Sequence, residues 1–263
     1  MITSTANAKV KRLVNLNKKH KLRTEEGIFV TEGIRMFREV PRERVLEVYV
    51  SESFWEKEKQ TIMQVLEGTG VRAELLSDHV YAHVSDTKTP QGILCLVKQE
   101  NRKLLDVLDT ENPFLLVLDN LQDPGNLGTI VRTAEGAGVT GIIMSRGCVD
   151  IYNPKVIRST MGSIYRMPFC YEEDLPAVLD TLKERKIRSY AAHLDGKCAY
   201  DEEDYHGPCA FLIGNEGNVL RDEVAKKADC YIRIPMEGEV ESLNAAVAAS
   251  VLMFEAARQR RVK

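Results

Sequence analysis

The sequence has no apolar segment long enough to cross a membrane. Its uncharged apolar stretches, such as Phe114–Leu118, reach about half a dozen residues, whereas a spanning helix needs roughly 20. The N-terminal MITSTANAKVKR lacks the apolar core that a secretory signal places before its cleavage site. With 9 prolines and 17 glycines in 263 residues, a fibrous or low-complexity chain is excluded. The sequence therefore predicts a globular, cytoplasmic protein with no membrane association.

Closely paired cysteines are also absent. The six cysteines are scattered without a C-x-x-C pair, so neither a zinc ribbon nor a dithiol redox site is indicated, and we expect reduced, mostly buried thiols. His79 and His83 are spaced to share a helix face, but no further ligand follows at a metal-site spacing. We predict no metal site.

Common nucleotide and hydrolase fingerprints are missing as well. No G-x-G-x-x-G follows a strand, no G-x-x-x-x-G-K-[ST] occurs, and G-x-S-x-G is absent. An NAD enzyme, a P-loop NTPase and a serine hydrolase are therefore disfavoured.

Positive charge is concentrated at the start of the chain. The net charge is −3, but residues 1–24 carry seven basic side chains and no acid, while the remainder holds 29 basic and 39 acidic residues. The seven form what we call the basic strip: Lys9, Lys11, Arg12, Lys18, Lys19, Lys21 and Arg23.

A helix through the basic strip would bury Val10, Leu13 and Val14 and leave most of the charges in solvent. Clustered lysine and arginine suit the phosphate backbone of a nucleic acid, because binding releases counterions. A merely solvated helix face is the alternative, and binding to a membrane surface is disfavoured because no large apolar face opposes the charges.

Strand and helix patterns alternate through two segments. The first ends with a strand at residues 92–97, and a charged, polar stretch at about 99–112 predicts a linker between a domain at 1–104 and a domain at 105–263. In the second segment, uninterrupted apolar strands alternate with helices, which predicts a parallel sheet covered on both faces. The last helix is predicted at about 243–259.

Three loops of glycine and polar residues follow apolar strands in this second segment. They begin after Leu118, after Ile213 and at Ile234. Ligands of open parallel sheets bind at the carboxyl ends of strands, and glycine lets the backbone approach a ligand closely. We therefore predict that these loops form the functional site.

The loops resemble the three motifs of the SpoU (TrmH) family of RNA ribose 2′-O-methyltransferases, in the SPOUT superfamily. These motifs read D-P-x-N-x-G-x-x-x-R-T-A-E, G-x-E-G-x-G-L and I-P-M-x-G-x-x-x-S-L-N-x-x-x-A. The matching residues are Asp123, Pro124, Asn126, Gly128, Arg132, Thr133, Ala134, Glu135, Gly214, Glu216, Gly217, Leu220, Ile234, Pro235, Met236, Gly238, Ser242, Leu243, Asn244 and Ala248. One departure is Val219, which stands where the family has its second glycine in the middle motif.

The resemblance implies an α/β fold whose C-terminal parallel-sheet domain contains a deep trefoil knot. It also implies a smaller α/β, ribosomal-protein-like RNA-binding domain in front, since Thr89–Leu94 and the segment with Asn7, Lys11 and Arg12 look like that domain. Family dimers pack at the C-terminal helix, where the run from Ala245 to Ala249 would allow close approach.

The resemblance further implies a cofactor, S-adenosylmethionine, and assigns residues to it. Gly214, Ile234 and Leu243 match positions that bind it largely through backbone groups, with Asn215 and Met236 nearby.

The catalytic residues implied by the family are Arg132, Asn126, Glu216, Ser242 and Asn244. Because a guanidinium does not readily lose its proton, we expect Arg132 to hold phosphate and stabilise the forming alkoxide rather than act as a base. Two structural alternatives are an Arg132–Glu135 salt bridge within one helix and Ser242 as the N-cap of the last helix.

The predicted function is methylation of a ribose 2′-hydroxyl in RNA, with ribosomal RNA favoured over tRNA. The alternatives are a tRNA methylase, a non-catalytic RNA-binding or assembly factor, and an unrelated nucleotide-binding α/β enzyme.

Overall fold

In the computed structural model, helices and strands alternate along the described residues, 1–215 and 220–261. The strands are β1 Ile28–Glu32, β2 Val45–Ser51, β3 Ala73–Leu76, β4 Ile93–Lys98, β5 Phe114–Leu118, β6 Gly141–Ser145, β7 Phe169–Glu172, β8 Arg188–Ala192, β9 Cys198–Ala199, β10 Cys209–Ile213 and β11 Cys230–Arg233. The helices are α1 Ala8–Lys18, α2 His20–Glu26, α3 Ile34–Glu39, α4 Glu52–Leu66, α5 Asp78–Val84, α6 Leu104–Leu108, α7 Pro124–Ala137, α8 Pro154–Thr160, α9 Leu175–Glu184, α10 Asp222–Ala225 and α11 Ala245–Arg261.

The first compact unit comprises residues 1–100 and 150–165 and is built on a four-stranded sheet of order β1-β4-β2-β3. Strand β4 is antiparallel to β1 and β2, and β3 is parallel to β2. Helix α1, expected in this region, begins at Ala8, where the Asn7 side chain accepts a hydrogen bond from the Lys9 amide. It buries Val10, Leu13 and Leu16, so Leu16 takes the place predicted for Val14, which is only partly buried.

Residues 150–165, including α8, belong to this first unit although they lie far along the chain. The Tyr152 ring stacks on Phe29 with centroids 4.6 Å apart, and the Tyr152 hydroxyl accepts a hydrogen bond from the Glu100 amide at 2.9 Å. Aromatic stacking and buried hydrogen bonds of this kind fix the segment to the unit. The predicted domain boundary at 104 and 105 stays a prediction, with α6 lying inside the predicted linker.

The second unit comprises residues 101–149 and 166–261 of the described chain and contains a seven-stranded sheet of order β7-β6-β5-β10-β8-β11-β9. Every neighbouring pair is parallel, as predicted. The predicted apolar strands are present within a residue or two of their expected ends, while the short edge strands β7 and β9 were not predicted. Strand β5 is buried along its whole length, because both faces of the sheet are covered.

Helices α7 and α11 pack against each other in this unit. Helix α7 starts at Asp123, whose carboxylate accepts a hydrogen bond from the Asn126 amide at 2.7 Å, and Pro124 occupies its first turn. No helix among the described residues is both long and apolar enough to span a membrane.

Candidate cofactor cavity and catalytic residues

A cavity of about 590 Å³ opens at the carboxyl ends of β8, β10 and β11. Its walls include all five residues predicted to bind the cofactor: Gly214, Asn215, Ile234, Met236 and Leu243. The cavity forms here because parallel strands end at one edge of the sheet, so the loops that follow them meet.

The segments after β10 and β5 are tied together beside the cavity. The Asn215 side-chain amide donates to the Asn120 carbonyl oxygen at 3.0 Å. Asn120 is the second residue after β5 and has a φ of 53°, a left-handed conformation that asparagine tolerates better than most residues. This turn lets the Asn120 carbonyl face Asn215.

The cavity is lined by both apolar and polar groups. Ile213, Ile232 and Leu252 are fully buried and form part of its lining. The polar lining side chains are His193, Arg233, Glu241 and Ser242, besides Asn215. A cavity that combines apolar walls with hydrogen-bonding groups is typical of a site for a small organic cofactor, and its volume lies within the usual range of roughly 300–1,000 Å³.

The first and third motifs meet through two asparagines. The Asn244 Nδ2 donates to Asn126 Oδ1 at 3.1 Å. The Asn244 Oδ1 accepts from the Ala246 amide at 2.9 Å, so Asn244 caps the start of α11. The proposed capping role for Ser242 is therefore wrong, because the helix begins at Ala245 and Ser242 lies in the cavity wall.

Arg132 is exposed on α7, six residues after Asn126, which corresponds to about 9 Å along a helix axis. Within residues 1–215 and 220–261 it makes no hydrogen bond or ion pair. The alternative of an Arg132–Glu135 salt bridge is wrong, since Glu135 pairs with Arg166, whose Nη2 lies 3.1 Å from Glu135 Oε2. Glu135 is therefore paired with a residue that is distant in the sequence, and Arg132 has no such partner among the described residues.

Two predicted positions cannot be placed. Glu216, predicted to be catalytic, and Val219, the departure from the family motif, lie outside the described residues. Sequence reasoning also missed an ion pair between the buried Asp119 and the partly exposed Arg221. The Asp119 carboxylate, which is fully buried, accepts hydrogen bonds from the Arg221 guanidinium at 2.9 Å, and this interaction raises the pKa of Arg221. The pair connects the end of β5 with the start of α10.

The sequence analysis did not predict the part of the cavity wall at the end of β8, which consists of Ala192, His193 and Leu194. The same rule that selected the three motif loops would have found it, since these residues also stand at the carboxyl end of a parallel strand. They were overlooked because the segment contains no glycine-rich or motif-like pattern.

The residues of the basic strip differ in burial and in ion pairing. Arg23 is buried, and its guanidinium donates to the Leu16 carbonyl at 2.6 Å and to the Asp150 carboxylate, so its assignment to an RNA-binding surface is wrong. Arg12 is paired with Glu26 and Glu47 at 2.7 Å each.

Lys9 is paired with Glu74. Lys21 lies 3.7 Å from Glu25, a loose and highly exposed contact. Lys11, Lys18 and Lys19 are exposed, with no ion-pair partner in the described chain. The exposed, weakly paired charge is therefore confined to these three lysines and Lys21.

Comparison with family models identifies this chain. Residues 113–254 match the model of the SpoU rRNA Methylase family, and residues 7–95 match the MRM3-like substrate binding domain. The chain belongs to the SpoU rRNA methylase family. The matched ranges contain the cavity, Asn126, Arg132 and Asn244 in the first case and the whole basic strip in the second.

Related proteins agree with this assignment over nearly the full chain. The 23S rRNA (guanosine(2553)-2′-O)-methyltransferase RlmP of Bacillus subtilis is 33% identical, covering 96% of this chain and 97% of that protein. The 23S rRNA (guanosine-2′-O-)-methyltransferase RlmB of Pectobacterium atrosepticum is 31% identical, covering 89% and 98% respectively.

Solved structures share the fold. The AdoMet-bound rRNA methyltransferase from Sinorhizobium meliloti superposes with a TM-score of 0.85 at 29% identity, covering 98% of this chain and 97% of that one. The SpoU methyltransferase AviRb from Streptomyces viridochromogenes, in complex with AdoMet, gives 0.86 at 26% identity, covering 97% and 99%. The parallel-sheet SPOUT methyltransferase fold with a preceding substrate-binding domain is thus confirmed.

Proposed function

We propose that this protein transfers a methyl group from S-adenosylmethionine to a ribose 2′-hydroxyl of ribosomal RNA. The observation that carries the proposal is the convergence of the motif segments. The loops after β10 and β11 form one cavity, and the Asn126–Asn244 hydrogen bond joins the first motif to the third beside it.

The cavity residues fit S-adenosylmethionine, which when bound supplies an electrophilic methyl group on sulfur. Backbone groups at Gly214, Ile234 and Leu243 would hold it, and the apolar lining would exclude water from the methyl group. Asn215 is held in place by its hydrogen bond to the Asn120 carbonyl. The fit is chemical as well as spatial, because an adenine edge can be recognised by backbone amides and carbonyls.

Arg132 is proposed to act on the RNA. The 2′-hydroxyl must lose its proton as its oxygen attacks the methyl carbon, so negative charge develops on that oxygen. An exposed guanidinium can donate to this oxygen and to a neighbouring phosphate at the same time. Asn126, oriented by Asn244, and Ser242, in the cavity wall, would position the ribose, with Glu216 assigned by family resemblance alone.

Ribosomal RNA is favoured over tRNA by the extent of similarity. RlmP and RlmB, both named for 23S rRNA, match most of the chain including the N-terminal domain. The tRNA-modifying TrmH/SpoU enzyme of A. aeolicus covers 59% of this chain with a TM-score of 0.51.

The exposed part of the basic strip is proposed to bind the phosphate backbone of this RNA. A Lys18→Glu, Lys19→Glu, Lys21→Glu variant should bind RNA more weakly and with a flatter salt dependence, by roughly one unit of log–log slope per lost phosphate contact. Affinity for S-adenosylmethionine should not change. Lys9→Gln, which removes an ion-paired lysine of the same strip, is the control and should have a smaller effect. An unchanged salt slope in the triple variant would make the strip a solvated face.

We also propose a homodimer through α11, although not through its small residues. Ala245, Ala246 and Ala249 are buried within the chain itself, so the predicted close packing of the alanine run against a partner is wrong. Val247 and Phe254, seven residues apart on one helix face, are each 49% exposed and could meet a second copy. Phe254→Lys should give a monomer and Phe254→Leu should not. A wild-type sedimentation species near 29.6 kDa at micromolar concentration would contradict the dimer.

Two further features stay proposals, namely the trefoil knot of the C-terminal domain, which rests on family membership alone, and the cytoplasmic location, which rests on the sequence pattern. Neither enters the mechanism.

The decisive experiment combines binding and product analysis. Calorimetry should detect S-adenosylmethionine binding to the purified protein, and mapping of ribose methylation should find a 23S rRNA position that is methylated only in cells that contain it. A protein that binds RNA but not the cofactor would support the assembly-factor alternative. Methylation confined to tRNA would support the tRNA alternative.

A further inference from the structure

Two cysteines and a glutamate, which are common metal ligands, lie together at one edge of the seven-stranded sheet, outside the cavity and the motifs. Cys198 lies on β9, Cys230 begins β11, and Glu203 follows the short 3-10 helix after β9. The two Sγ atoms and a Glu203 carboxylate oxygen all lie within 4.8 Å of one another, and Cys230 Sγ is 3.6 Å from Glu203 Oε1. All three side chains are partly buried.

These separations suit a tetrahedral cation. With bonds of about 2.3 Å to sulfur and about 2.0–2.2 Å to a carboxylate oxygen, zinc ligands lie roughly 3.5–3.8 Å apart. The Cys230–Glu203 distance already has this value, and Cys198 Sγ, which lies within 4.8 Å of both, needs a movement of at most about 1 Å. Three protein ligands leave the fourth position to water.

A neighbouring side chain orients Glu203. The Arg188 guanidinium donates to the second oxygen of Glu203 at 3.1 Å, so Glu203 is oriented by a partner that does not occupy its metal-facing oxygen. A divalent cation that displaces the two thiol protons leaves the local charge unchanged.

We propose that Cys198, Cys230 and Glu203 bind a zinc ion that fixes the edge of the sheet beside the cofactor cavity. Strand β9 has two residues and pairs only with β11 in the described sheet, so it has little hydrogen bonding of its own. The connection from β8 to β9 starts with His193 and Leu194, which line the cavity. A zinc ion bound by Cys198 would fix the β9 end of this connection.

The test uses cobalt as a spectroscopic substitute for zinc. The full-length protein, reduced and freed of metal with a chelator, should bind one equivalent of Co²⁺ and develop thiolate-to-cobalt charge-transfer absorption, which Zn²⁺ should displace. Cys198→Ser and Cys230→Ser should each abolish the band although five cysteines remain. Glu203→Gln should weaken binding at least about 10-fold. Asp201→Asn, an exposed acid on the intervening 3-10 helix, is the control and should bind as the wild type does.

Stability supplies a second readout that does not depend on colour. Zn²⁺ should raise the thermal midpoint of the wild type and of Asp201→Asn, and should raise that of Glu203→Gln, a variant that keeps both thiols, by less at the same Zn²⁺ concentration. The proposal falls if the reduced wild type binds no metal, or if binding persists in a Cys198→Ser, Cys230→Ser double variant. It also falls if peptide mapping of unreduced protein finds a Cys198–Cys230 disulfide and the reduced form binds no cobalt.

Discussion

Replacing Arg132 by alanine should slow methyl transfer while leaving the fold and the cofactor site nearly intact. Arg132 is exposed and makes no hydrogen bond or ion pair with any described residue. Its removal should therefore change the free energy of unfolding by no more than about 0.5 kcal/mol, the usual range for a surface substitution. The cavity wall around Gly214, Ile234 and Leu243 does not include it.

The expected loss lies in the chemical step. Removing one preorganised group that stabilises developing negative charge costs roughly 10²-fold or more in rate, which corresponds to about 2.7 kcal/mol of transition-state stabilisation. Arg132→Lys should recover little, because an ammonium keeps the charge but lacks the planar pair of donors that can hold a phosphate and an alkoxide oxygen together.

Single-turnover methylation at saturating cofactor and RNA separates chemistry from binding. Arg166→Ala is a suitable control, since it also removes an exposed arginine near α7, one that is paired with Glu135. It should reduce the rate much less than Arg132→Ala. A normal single-turnover rate in Arg132→Ala would remove this residue from the mechanism, and no salt bridge to Glu135 is present to provide another role.

Two predictions concern stability. Arg221→Ala leaves the buried Asp119 carboxylate without its guanidinium partner and should lower the free energy of unfolding by about 2 kcal/mol in urea titrations. The loss should be smaller than for a fully buried pair, because Arg221 is 37% exposed. An unchanged urea midpoint would contradict this. Burial would raise the pKa of Glu47, but hydrogen bonds from Tyr49 and Arg12 outweigh it and lower that pKa. The stability contributed by Glu47 is therefore present above its ordinary pKa of 4.5 and is lost as the pH falls through the lowered pKa. Glu47→Gln should accordingly make the free energy of unfolding depend less steeply on pH in the acid range. Equal slopes of this free energy against pH in both proteins would refute the prediction.

The sequence predicted the sheet and the place of the site because both depend on local patterns. Apolar runs such as Phe114–Leu118 identify strands buried on both faces, and the loops after them must meet at one edge. The cavity residues Gly214, Ile234 and Leu243 were accordingly found together. Strand β9, with two residues, carries no such pattern.

Pairings between distant residues were not predictable. The charge of Arg23 suggested a surface position, but its partner Asp150 lies 127 residues away and allows it to be buried. Glu135 has a suitable partner three residues earlier and instead pairs 31 residues later with Arg166. Spacing along a helix gives the candidates for an ion pair, whereas tertiary packing decides between them.

Asn244 combines two roles that substitutions can separate. Its Oδ1 caps α11 through the Ala246 amide, and its Nδ2 donates to Asn126. Asn244→Ala removes both interactions and should cost about 1 kcal/mol of stability as well as activity. Asn244→Asp keeps the capping acceptor, and its charge suits a helix N-terminus, so its thermal midpoint should match or exceed that of the wild type.

The aspartate cannot donate to Asn126, however, and this makes the substitution informative. Asn126 Oδ1 would face a carboxylate, so its amide must turn over to donate, which reverses the donor and acceptor that it presents to the ribose. Single-turnover methylation by Asn244→Asp should therefore fall by about 10-fold or more while the fold is retained, since misplaced positioning groups cost rate without costing stability. Two results together would refute this role: Asn244→Asp methylating RNA at the wild-type rate, and Asn244→Ala losing activity only in proportion to its unfolded fraction. Asn244 would then act only as a helix cap, and the Asn126–Asn244 contact would have no part in positioning the substrate.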